Sequence, residues 1–352
     1  MNRAERRRQQ KRDKKASKDM KSIEPTSEQT KMIEDAVALH QSGQLDLAEI
    51  QYKKLLNYLP DNTLLLTNLG TIAFQKGRLE DAVRIIGKSL QINSNQPNAL
   101  NNLGNALRDL NRLDEALASY DRAIALKPDH AEAYCNRGIT LQYLKRLDEA
   151  LASYDRAIAL KPDYAEAYWN KSLLKILIGE YLEGWKLYEW RWKKEPQINS
   201  PRAYHQPLWL GDESIFHKTL LIYPEQGFGD YIQCIRYAAL VEQLGAKVIL
   251  EVPSELMTLC STLKGQPILI ENGKPLPSFD YHCPVMSLPL ALKTTLETIP
   301  AQIPYLYADD QRKKRWNEKL GNKTVTRIGL VWYGLVQLRI RMTTTEVCYS
   351  TS

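Results

Sequence analysis

Apolar positions along this chain follow two rhythms. From residue 29 to 198 they recur every 34 residues, and beyond about residue 199 they gather into short runs between helix-like segments. In the first region RLDEALASYDRAIALKPD fills 112–129 and returns unchanged at 146–163. That register extends without insertion into five units: 29–62, 63–96, 97–130, 131–164 and 165–198. The eighth position is small or nearly so (Ala36, Gly70, Gly104, Gly138, Ser172), and so is the twentieth (Ala48, Ala82, Ala116, Ala150, Gly184). Small side chains let two helix backbones approach where they cross. The twenty-fourth position is bulky (Tyr52, Ile86, Tyr120, Tyr154, Tyr188) and is expected to fill the gap between neighbouring units. Pro60, Pro128 and Pro162 stand where the second helix of a unit must stop. Each unit is thus expected to be a helical hairpin that cannot bury its apolar face alone. Stacking then builds a superhelix with a concave surface.

This pattern resembles the tetratricopeptide repeat over about 170 residues. The resemblance implies a groove that holds a peptide or partner protein. The sixth position of four units is asparagine: Asn68, Asn102, Asn136 and Asn170. Asn is a mediocre helix former. Its primary amide both donates and accepts, so it can grip a peptide group through N–H and C=O together. A ladder of them would hold an extended backbone with little regard to its side chains; the alternative is that the amides bridge adjacent units. The repeat region of protein O-linked N-acetylglucosamine transferases has such a ladder, and these units resemble it. In the fifth unit, Tyr181, Trp185, Tyr188 and Trp192 recur at helical spacing and share one face. They are expected to dock the last repeat against the next domain rather than to stack a ligand.

In the second rhythm, KTLLIYPE reads as a strand, 230–243 as a helix and AKVILEVP as a strand. A helix around 254–264, a strand ILIE at 268–271 and the run FDYHCPV come next. Strands alternating with helices at this spacing predict a parallel α/β sheet with a crevice beyond the strand ends. The loop YPEQGFGDYIQ at 223–233 carries Gly227 and Gly229 but has Ile232 where a dinucleotide fingerprint needs a third glycine. No GK[ST] follows, so the P-loop pattern also fails.

The stretches PLWLGDESIFHKTLLIYPEQGFGDYIQCIRYAALVEQLGAKVILEVP, FDYHCPVMSLPLAL, IPYLYAD and IGLVWYG, within about 207–334, resemble a bacterial group. Its members fuse tetratricopeptide repeats to a domain similar to the heptosyltransferases and O-linked N-acetylglucosamine transferases, sugar transferases built from two Rossmann-like domains. The resemblance implies a nucleotide sugar as donor and makes Asp230 the candidate base. A carboxylate there would take the proton from an acceptor hydroxyl. Gln226, Gly227 and Gly229 would approach the ligand with backbone, and His282 and Ser287 would stand at another strand end beside the cleft. Asp230 can instead serve as a helix N-cap, and His282 as a hydrogen-bonded structural histidine. The 18 residues LVQLRIRMTTTEVCYSTS at 335–352 depart from the family, which continues into a second Rossmann-like domain holding most of the donor site. They read like the product of a frameshift or premature stop. The expectation is a chain that binds protein but transfers no sugar; the alternative is an active glycosyltransferase acting on a protein or surface glycan.

Charge sharpens the outline. The net charge of +7 resides in residues 1–22, where ten Lys or Arg face three acids. No apolar segment comes after this basic start, so a secretory signal is not expected. It reads as part of a disordered arm, 1–28, able to touch RNA or anionic lipid. Five scattered cysteines without a CxxC fit a reducing compartment and predict a cytoplasmic protein. The five histidines lack metal-ligand spacing, and no cofactor is expected. The expected architecture is therefore an α-solenoid at 29–198, an α/β Rossmann-like half at 199–334 and an atypical tail.

Overall fold

The computed structural model describes residues 25–194, 202–225 and 227–320. Two compact units divide between Leu174 and Lys175, inside the fifth 34-residue stretch, and each is taken by itself. Most of the basic arm, Gln226, the IGLVWYG stretch and the 335–352 tail lie outside the described residues.

The first unit is built of helix pairs. They are α1 (Ser27–Gln41) with α2 (Leu45–Tyr58), α3 (Thr63–Gln75) with α4 (Leu79–Ile92), α5 (Pro97–Asp109) with α6 (Leu113–Leu126), and α7 (Ala131–Tyr143) with α8 (Leu147–Leu160). The next helix, α9 (Ala165–Leu177), opens the fifth repeat. From α3 on, every first helix of a pair covers positions 1–13 of its repeat and, through α8, every second one covers positions 17–30. The chain enters α1 at Thr26, which forms a capping box with Gln29.

The turn inside each pair is equally regular. Its fifteenth repeat position is left-handed at Gly43, Gly77, Asn111 and Lys145, with φ between 59° and 78°. The next residue donates its N–H back five residues, as Gln44 does to Leu39 and Arg112 to Leu107, which completes a Schellman closure. Two of the four residues here are not glycine and take on the strain of positive φ.

Packing within a pair runs through the eighth and twenty-fourth positions. A Cβ placed on Gly104 would sit 2.5 Å from the Tyr120 ring, and one on Gly138 would sit 2.6 Å from Tyr154. Both tyrosines are fully buried. The bulky position therefore fills the space over the glycine of its own unit and, as expected, also packs on the next unit: Tyr52 clusters with Leu65, Leu69 and Ile72, and Ile86 with Ala99 and Leu100. Sixteen residues separate the glycine from its tyrosine, one helix and one turn, so they meet across the hairpin. Tyr120 also donates its hydroxyl to Asn105 at 2.8 Å, so ring and polar tip are both satisfied.

Surface charge ties repeats together. Glu49, nearly buried, takes ion pairs from Lys53, Lys76 and Arg78 at 2.6–2.7 Å. Burial would raise its pKa, but the three cations outweigh that and hold it at about 2.

The second unit begins with α10 (Tyr181–Tyr188) and α11 (Arg191–Lys194). Four strands follow: β1 (Thr219–Tyr223), β2 (Lys247–Val252), β3 (Ile268–Glu271) and β4 (Tyr281–Pro284). All pair in parallel in the order β3-β2-β1-β4. Near-continuous apolar runs such as TLLIY suit strands covered on both faces. Leu221, Ile249 and His282 share one face by register, together with Tyr223. Tyr204 packs on that face against Tyr223, Phe279 and His282. Leu220, Ile222, Leu250 and Cys283 are fully buried on the other.

The crossover from β1 to β2 is α12 (Phe228–Cys234), a 3₁₀ turn at Ile235–Tyr237, and α13 (Ala238–Gln243). The expected continuous helix over 230–243 is thus tightened in its middle. The helix expected around 254–264 shrinks to a 3₁₀ turn and α14 (Met257–Cys260). After β4 comes α15 (Leu288–Ala291), and α16 (Asp310–Leu320) closes the described part.

Candidate functional site

The four ladder asparagines lie half-buried on first helices of successive pairs. Each donates from its amide nitrogen to the preceding repeat. Asn68 reaches the Tyr52 hydroxyl at 3.3 Å, and Asn102 the Thr71 hydroxyl at 3.0 Å. Asn136 reaches the Asn101 oxygen at 3.0 Å, and Asn170 the Cys135 sulfur at 3.6 Å. The bridging role is therefore present. It uses only one edge of each amide: among the described residues, no donor bonds the four amide oxygens. Every partner can itself donate or accept, so an amide can turn over and keep its bridge. Cys135 stays a thiol, because burial pushes its pKa up to about 12.

Residues three and seven positions after the ladder share its helix face. In the second and third repeats they are polar and already engaged: Gln75 meets His40 at 3.0 Å, Asn105 accepts from Tyr120 and Asp109 pairs with Arg108. In the fourth repeat they become Ile139 and Tyr143, and Tyr143 is 59% exposed. The face thus changes from amide-lined to apolar along the repeat axis.

In the second unit, Gly227 is the N-cap residue of α12, which lacks a side-chain cap. Asp230 is the third residue of that helix, so it is not the N-cap. It is half-buried, burial raises its pKa, and among the described residues it has no hydrogen bond or ion pair. Gly229 precedes it in the same first turn. Gln226 lies outside the described residues. His282 is buried on β4 with its ring 5.0 Å from Tyr204 and 5.7 Å from Tyr223. Burial lowers its pKa, which favours the neutral ring. Ser287 is fully buried and its hydroxyl is spent on Glu189 and Arg191. The strand ends thus bring Gly227 and Asp230 together, while His282 and Ser287 are packed into the protein. Sequence reading missed Arg191, Glu189 and Glu225. The only signal for them was the acid opening EQGFGD and the charge beside two tryptophans in WRW.

No group of His, Cys, Asp and Glu among the described residues is placed to hold a metal. No described helix is long and apolar enough to cross a membrane.

Two family profiles match: TPR repeat at residues 104–145 and Tetratricopeptide repeat at 131–164. Among solved structures, MamA is 27% identical, over 46% of this chain and 95% of its own, with a TM-score of 0.41. TTC0263, a thermophilic TPR protein of Thermus thermophilus, is 21% identical over 48% of this chain and 92% of its own, with a TM-score of 0.43. YrrB, described as a TPR protein with an unusual peptide-binding site, is 22% identical over 52% and 92%, with a TM-score of 0.39. No curated protein matches. The chain carries tetratricopeptide repeats.

Proposed function

We propose that the chain is a protein-interaction scaffold whose repeats hold an extended segment of a partner, with the asparagine ladder gripping its backbone. The observation that carries this is four asparagines in one register, each bonded on one edge and open on the other among the described residues. A peptide N–H is the natural donor to such an oxygen. A hydrogen bond left unmade is worth about 1–3 kcal/mol when its partner is buried. Replacing Asn102 and Asn136 by Ala should therefore weaken a peptide selected from a display library by about 1–3 kcal/mol in total. The reading fails if calorimetry finds unchanged affinity while helicity is intact.

A second reading is favoured by Asp230, a half-buried carboxyl beyond the end of β1, without a partner among the described residues. We infer a transferase-like α/β unit in which Asp230 would accept a proton from an acceptor hydroxyl, a role typically worth about 10²–10⁴ in rate. Incubation with labelled nucleotide sugars tests it. Transfer abolished by Asp230→Asn supports the reading, whereas no donor binding and no transfer remove it.

A further inference from the structure

Arg191 is 3% exposed, and all five of its N–H donors are used. Nε and one terminal nitrogen grip the two oxygens of Glu225 at 2.9 and 3.0 Å. That same terminal nitrogen donates to Ser287 Oγ at 2.7 Å. The other donates to Glu189 Oε1 at 2.7 Å and to the Tyr188 carbonyl at 3.4 Å. The Tyr188 and Trp192 rings lie 4.9 and 4.3 Å from the guanidinium carbon. Burial works against its charge, but Glu225 and Glu189 outweigh this and keep it ionised.

The partners give this network its meaning. Glu225 lies two residues past β1, and Met286 lies two residues past β4. Glu225 Oε1 also accepts the Met286 N–H at 2.8 Å, and Ser287 donates to Glu189 at 2.9 Å. Trp185, one helix turn before Glu189, donates to the Thr294 carbonyl at 3.2 Å. One guanidinium therefore joins three segments that are remote in sequence: the strap 181–194, the turn after β1 and the turn after β4. In parallel α/β sheets, the carboxyl ends of strands are where ligands bind.

We propose that Arg191 is a lock that makes the strap and both strand-end turns a single cooperative element, so that releasing the strap would free both turns together. Lys offers a point charge on a flexible stem and cannot reproduce the fork. Hydrogen exchange on the full chain tests this. In Arg191→Met, amides in 181–190, at Glu225 and at 285–288 should exchange at least 10-fold faster together, while those of β2 and of repeats 97–164 stay unchanged. Arg191→Lys should fall between. If Arg191→Met does not fold, Glu225→Gln keeps the volume and removes the charge. It should still speed exchange both at Met286 and in the strap. Acceleration in only one of the three segments, or uniform acceleration across the chain, would overturn the lock. So would no change in either variant.

Discussion

The two units hold themselves together in opposite ways. In the repeats, each contact recurs at a fixed offset: Gly104 against Tyr120 is repeated by Gly138 against Tyr154. Ion pairs recur too, as Arg112 with Glu115 and Arg146 with Glu149. Such a structure is close to a sum of units and neighbour interfaces, so damage stays local. The α/β unit instead gathers segments 34 and 96 residues apart onto one buried arginine. Damage there spreads, because removing one partner strands the others in low dielectric. The difference teaches where a chain can vary and where it cannot.

The sharpest way to break the comparison is Arg191→Met. Removing one partner of a buried charge network costs about 3–5 kcal/mol. Six of the seven tryptophans lie after residue 174, so tryptophan fluorescence during urea unfolding follows the second unit. The midpoint should fall sharply there, while circular dichroism of the helical repeats holds. Equal losses in both signals would erase the contrast.

Next in size is Gly104→Val. Its Cβ would collide with the Tyr120 ring, and overpacking costs about 1–3 kcal/mol. The matching control is Gly87→Ala, whose Cβ would meet nothing within 4 Å. That change should stabilise by about 0.5–1 kcal/mol, because glycine is a poor helix residue. Thermal melts check both, and the same sign for the two would show that the glycine register carries no packing information.

A smaller effect is expected in acid. Glu49 is held at about 2 against an ordinary value of 4.5. A depressed carboxylate contributes stability above its unfolded pKa and loses it as pH falls through the folded one. The window is therefore about pH 4.5 down to 2. Glu49→Gln should flatten the stability slope in that window and leave the slope near neutral pH unchanged. An unaltered acid limb would mean the three cations do not set this titration.

Much of the first unit was legible because its packing is periodic. Helix bounds fall at the same positions of the second, third and fourth repeats, as the register of small and bulky residues predicts. What the register could not say was that a bulky residue such as Ile86 meets two partners, the glycine sixteen residues before it and the first helix of the next unit. The four strands were legible as apolar runs flanked by polar turns. The break in the 230–243 helix was not, because IQCIRYAALVEQ keeps an unbroken apolar rhythm. Asp230 was visible beside two glycines, yet its third-residue place in α12 depended on where the backbone starts the helix. Arg191 was invisible because its partners are brought together only by the tertiary fold. The ladder itself was plain in the sequence, whereas its bridges to Tyr52, Thr71, Asn101 and Cys135 needed the stacked helices.

The central claim is that the ladder holds peptide backbone, and a calorimetric cycle tests it most directly. A selected peptide and its backbone N-methylated counterpart are titrated into the unaltered chain and into the Asn102→Ala, Asn136→Ala double variant. Coupling between groups in contact is typically about 0.5–3 kcal/mol. The account predicts that N-methylation weakens binding to the unaltered chain by at least the lower end of that range and hardly changes binding to the variant. An equal penalty in both proteins would contradict it.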